Sequence, residues 1–140
     1  MRKNKITPEE YKSILKNIKL EKIYSNNFSA KFDKTYLSND LSLDVKESNS
    51  FKQDDTILYV DYTYRLVGKN NESDKNALNL KINYVVEYSV LNDIIISKEF
   101  MKIFSEITIS LLLWTYFREF VSNSLYRMGL PPLTLPMKRI

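Results

Sequence analysis

The sequence predicts an α+β domain: a four-stranded antiparallel sheet with a short N-terminal helix, and a short plus a long C-terminal helix packed on one face. Three observations predict it. Apolar and polar residues alternate through the middle of the chain, the period-2 pattern of half-buried strands. The alternating stretches follow one another with short connections, which suits antiparallel pairing. Toward the C-terminus the apolar spacing becomes helical and stops at Gly129, Pro131 and Pro132.

Taken in order, Thr7-Pro8-Glu9-Glu10 is a helix start. Thr7 caps, Pro8 suits the first helical position, and Glu10 completes a capping box. Tyr11, Ile14, Leu15 and Ile18 then share a face, and the helix is expected to end near residues 17–19. A first strand follows over residues 20–32, where adjacent Ile23 and Tyr24 mark a bulge or register change. Leu41, Leu43 and Val45 open a second strand that extends toward Phe51. Gln53-Asp54-Asp55 reads as a turn. Leu58, Val60, Tyr62, Tyr64 and Leu66 make a third strand, residues 68–76 an exposed loop, and Leu78 to Val90 a fourth strand. The opposite faces of the last two strands carry Asp61, Thr63, Arg65, Asn79, Lys81 and Asn83, so that side is expected to meet solvent or another subunit.

Ser97 is positioned to cap a short helix holding Phe100, Ile103 and Phe104, and a longer helix runs from about Glu106 to Met128. Ile107, Leu111, Val121 and Leu125 fall on one side of it, and Leu113, Phe117 and Phe120 on another. A helix apolar on several sides covers the sheet and also meets something else, most simply a second subunit. Leu113, Trp114, Phe117 and Val121 are the candidate oligomerisation residues. The chain reads as one domain: a helical extension over 1–19, the sheet over 20–92, helices over 97–129, and a tail over 130–140.

Composition narrows the chemistry. The 140 residues include no histidine and no cysteine, which removes Ser-His-Asp and Cys-His nucleophile systems, thiol redox chemistry and nearly all zinc sites. Only two glycines occur, so glycine-rich phosphate loops are excluded. Arg118 beside Glu119 reads as a structural helix pair rather than an acid with its partner. The expectation is a non-enzyme without metal or cofactor. Net charge is +4, but Arg2, Lys3 and Lys5 at one end and Lys138 and Arg139 at the other form short basic tails rather than a stripe. The ten tyrosines lie largely on apolar strand faces, so nucleic-acid binding is the alternative reading rather than the leading one. The apolar run over 107–117 is well short of the ~20 residues a membrane span needs, and no apolar stretch follows the basic start. A cytoplasmic protein without membrane insertion is expected.

The C-terminal segment carries a resemblance. Leu113-Trp114-Thr115-Tyr116-Phe117-Arg118-Glu119, followed by Arg127-Met128-Gly129-Leu130-Pro131-Pro132-Leu133-Thr134-Leu135-Pro136, resembles the SecB export-chaperone family. That family has an aromatic-Pro-Tyr-x-Arg-Glu stretch and then Pro-x-Leu-x-Leu-x-Pro. Ile23-Tyr24-Ser25-Asn26-Asn27-Phe28-Ser29-Ala30 and Leu41-Ser42-Leu43-Asp44 match two further family stretches in the same order. The resemblance implies a tetramer, a dimer of dimers, that holds non-native polypeptide in long surface grooves without ATP. The client is a preprotein for export, or a dedicated client such as the antitoxin of a toxin–antitoxin module. By resemblance Tyr24, Leu41 and Leu43 are groove residues, and Phe100 and Phe104 are added for position and side chain. Thr115 stands where the family has proline, which predicts a straighter helix. The first helix has no counterpart in typical members. Asn27, Lys31 and Lys81 stand at acidic positions that dock the SecA motor in the family, so weak or absent SecA docking is expected.

Overall fold

The computed structural model describes residues 6–131. The basic ends, Pro132 and the Leu133-Thr134-Leu135-Pro136 part of the C-terminal motif lie outside the described residues.

The chain starts with α1 (Pro8–Leu15), and the expected capping box is present: the Thr7 amide donates to Glu10 Oε1 at 2.9 Å and the Glu10 amide to Thr7 Oγ1 at 3.1 Å. The helix ends earlier than its apolar spacing predicts, because Ile18 already belongs to β1 (Ile18–Phe32). A 3-10 turn at Lys34–Tyr36 follows, then β2 (Leu41–Asp54), β3 (Ile57–Asn70) and β4 (Asn76–Val90). The loop expected over 68–76 is shorter than predicted. Both strands run further, and Asn70 holds the turn by accepting from the Glu72 and Ser73 amides.

All pairings are antiparallel and the sheet order is β1-β4-β3-β2. Residues 33–40 therefore carry the chain across the ends of β4 and β3 to the far edge. The Asp33 amide donates to the Ala77 carbonyl at 2.9 Å, and Asn70 Nδ2 to the Tyr36 carbonyl at 2.7 Å, which pins that crossing.

The inner face of β3 and β4 is the predicted alternation: Leu58, Val60, Tyr62, Tyr64 and Leu66 beside Leu80, Ile82, Tyr84, Val86 and Tyr88, all buried. Over it lies α2 (Lys98–Phe104), capped by Ser97, and α3 (Ser110–Arg127). Two separate helices were expected. Instead Ser105–Ile109 is a π-helical turn that joins them into one rod over Lys98–Arg127. The turn accommodates one extra residue, so Phe100 and Phe104 stay in line with Ile109, Leu113, Phe117, Val121 and Leu125 on the sheet side. By length and hydropathy this rod could cross a membrane, but here that stripe is buried against the strands. The rod ends in a Schellman motif: the Gly129 amide donates to the Tyr126 carbonyl and the Leu130 amide to the Leu125 carbonyl, each at 3.0 Å. Gly129 has a φ of 72°, as its position after the last helical turn requires.

Burial pushes the hydroxyl pKa of Tyr62, Tyr64, Tyr84 and Tyr88 up, that of Tyr88 to about 12. An unfolded tyrosine ionises near ~10. The folded-state values are raised, so this stabilisation is fully present below about pH 10 and is lost as pH rises through the folded values. An alkaline titration followed by tyrosinate absorbance and circular dichroism is expected to show a set of tyrosines that ionise only as secondary structure is lost. Ionisation of every tyrosine near the ordinary value, with the sheet intact, would contradict this packing.

Candidate functional site

Two open apolar grooves flank the C-terminal end of α3. The larger, about 910 Å³, lies between β1 and the helix. Its floor is Ile23, Phe28, Phe32 and Ile82, and its far wall is Tyr116, Phe120 and Met128. Phe28 is 67% exposed and meets Phe120 edge-on at 6.0 Å. Glu119, Asn123 and Arg127 form a polar rim. The second groove, about 520 Å³, lies under the crossing loop and is lined by Leu37, Leu41, Leu43, Leu78, Leu125 and Leu130.

Local sequence explains both. In β1 the register shifts between Leu20 and Lys22, and again between Ser25 and Asn27. Each shift changes which residues face inward. Ile18 and Leu20 pair with inner-face Val90 and Tyr88, then Ile23 with Val86, then Phe28, Ala30 and Phe32 with Ile82, Leu80 and Leu78. The shifts bring Phe28 and Phe32 over the groove. They also bend the strand that carries them. The Schellman turn folds Leu130 back beside Leu125, which closes one end of the second groove.

The arrangement suits an extended, apolar chain. Large apolar side chains give anchors without directional demands. The first groove is bordered by β1, an edge strand whose outer side offers unpaired backbone groups. Among the described residues no group of three His, Cys, Asp or Glu side chains gathers as a metal site would need.

The structure sorts the residues singled out from sequence. Leu41 and Leu43 line the second groove, and Leu43 is 42% exposed. Tyr24 borders the first groove, but it pairs with Val85 on the outer sheet face and its hydroxyl donates to Glu87 Oε2 at 2.9 Å. That bond raises the Tyr24 pKa, with smaller contributions from desolvation and from the Glu87 charge. Phe100 and Phe104 need correction. Both are buried, stacked on each other at 5.1 Å, with Phe104 against Tyr88 and Phe100 under Tyr11 of α1. They sit on the sheet side of the rod and line no surface.

Three of the four oligomerisation residues need the same correction. Leu113, Phe117 and Val121 have no exposed area in the isolated subunit, and Trp114 is partly covered at 5.9 Å from Tyr64. The side of the rod turned away from the sheet presents Ile107 and Leu111 instead, each 42% exposed. Sequence reasoning missed Phe28, Phe32, Leu37, Phe120 and Leu130. The change of inward parity along β1 was the cue for the first two.

Asn27, Lys31 and Lys81 do come together. Asn27 pairs with Asn83, Lys31 with Asn79 and Ser29 with Lys81, all on the outer face of the sheet.

No protein-family model matches the sequence, and no curated protein matches it. Solved structures do match. A SecB-like chaperone of Mycobacterium tuberculosis (Rv1957), in complex with a ChAD peptide from the HigA1 antitoxin, superposes with a TM-score of 0.77 and 17% identity, over 93% of this chain and 97% of that one. A protein of unknown function from Streptococcus agalactiae aligns with a TM-score of 0.40 and 10% identity, over 85% of this chain and 96% of that one. The four-stranded antiparallel sheet with its short N-terminal helix and long C-terminal helix is the SecB-like fold.

Proposed function

We propose that the chain is a SecB-like chaperone that holds a non-native polypeptide along the two grooves without nucleotide, and that its client is a dedicated one of the antitoxin kind rather than the general pool of exported proteins. The single observation that carries this is the pair of open apolar grooves on a SecB-like fold, with Phe28 left 67% exposed in the larger. A solvent-facing phenylalanine costs free energy unless something covers it for part of its life. The SecB-like chaperone of similar fold was solved with an antitoxin peptide bound, which supports the choice of client. Asn27, Lys31 and Lys81 leave the outer face without the carboxylates that SecA docking uses in the SecB family, which supports a role outside general export.

In this reading the protein works in the cytoplasm as a homo-oligomer, a dimer of dimers. The exposed Ile107 and Leu111 side of the rod gives one copy a face for another.

The test is aggregation of a chemically denatured client, diluted with and without the protein at equal subunit ratio and without nucleotide. Light scattering is expected to fall in proportion to the chaperone added. Unchanged scattering with every client tried, including the product of a neighbouring antitoxin gene, would remove the reading.

A further inference from the structure

We infer that the outer face of the sheet, opposite the helices, is a docking surface for an acidic segment of a partner protein. This goes beyond the client grooves, which lie on the other face. The register places Lys81 directly opposite Arg65, and Arg65 directly opposite Lys46. Three cations thus stand side by side across β4, β3 and β2. All three are exposed, and Lys31 on β1 stands diagonally beside Lys81. Like charges directly opposite across strands destabilise a sheet. Yet among the described residues neither Arg65 nor Lys81 has an ion pair, and Lys46 has only a 3.8 Å contact with solvent-exposed Asp44. The repulsive Arg65 and Lys81 pair at the centre of the row, kept without an ion pair of its own, is relieved by carboxylates brought from outside.

The surroundings favour protein over nucleic acid. The rows on either side hold Asn79 and Val67, and Asn83 and Thr63, so no aromatic ring is interleaved for base stacking. Asp44 lies one row away and Asp61 two rows away on the same face. A polyanion with closely spaced phosphates would run onto those carboxylates. A short acidic segment fits between them.

The probe is a fluorescein-labelled oligo-glutamate peptide, read by anisotropy against the full chain in low salt. Binding that weakens with added salt is expected. Reversing both Arg65→Glu and Lys81→Glu should weaken it by about tenfold or more. Reversing Lys12→Glu on α1 and Lys16→Glu at its C-terminal cap, with the same change in net charge, should leave it within about twofold. Aggregation suppression by the grooves should be unaffected in either variant. The single Lys81→Glu change should raise the melting temperature, since it turns a repulsive cross-strand pair into an attractive one. A separate melt of the double variant, in which the cross-strand pair is again like-charged, establishes that it is folded before its binding is read. Absence of peptide binding, equal weakening by the α1 reversal, or binding of duplex DNA but not of the peptide would each overturn the inference.

Discussion

Replacing Phe28 by aspartate should weaken client binding by at least about tenfold, with little change in stability. Phe28 is the most exposed of the groove's large apolar side chains, and its neighbour Phe120 meets it edge-on. A polypeptide lying in the groove covers that ring, and a well-covered aromatic anchor is worth about 2 kcal/mol or more at an interface. A carboxylate there must be desolvated without a partner, which adds to the loss. In the free protein the side chain is already largely in water, so truncation removes little folding energy. Anisotropy of a labelled unfolded client gives the affinity, and a thermal melt of the free variant gives the stability. Phe28→Leu should keep most of the binding, because the groove asks for apolar area rather than a specific shape. Unchanged affinity in Phe28→Asp would mean that the client lies elsewhere.

Phe117→Ala is the second large effect, and it is a folding effect. The ring is fully buried and stacked on Tyr64 at 4.6 Å and 12°, with Trp114 at 5.7 Å. Emptying such a site costs about 3–5 kcal/mol, a large part of the 5–15 kcal/mol that typically holds a domain together. Urea unfolding measures it. A contact between subunits would behave otherwise: the variant would stay folded and merely dissociate, with stability that depends on protein concentration. Urea midpoints that fall at every concentration place Phe117 inside the subunit.

These two residues also show how far the sequence could be read. The inner faces of β3 and β4 were legible because their alternation runs without a bulge until Gly68. Caps were legible because Thr7, Ser97 and Gly129 are chemically specific to helix ends. Tyr24 and Phe28 share a parity in the sequence, so only the register shift between Ser25 and Asn27 sends them to opposite faces of the sheet; the family resemblance pointed to Tyr24 and nothing in the strand pattern singled out Phe28. The helical rod misled for a similar reason. A five-residue step from Phe104 to Ile109 looks like a break between helices, but a π turn absorbs it. Phe117 and Val121, four residues apart within α3, share its sheet-facing side; grouping Val121 with Ile107, which lies in the π turn, is what set the two apart. The order β1-β4-β3-β2 has no local cue, since short connections alone do not say which edge the first strand joins. The second groove exists only because the crossing loop and the Schellman turn meet over β2, a long-range arrangement.

Hydrogen–deuterium exchange of the protein with and without an unfolded client reads directly whether the client lies in the two grooves. Slower exchange is expected along β1 over residues 23–32 and at the start of β2 over residues 41–43, where the grooves lie. Amides of α2 around the already buried Phe100 and Phe104 should be unaffected. Protection confined to α2, or no protection anywhere with client demonstrably bound, would contradict that placement.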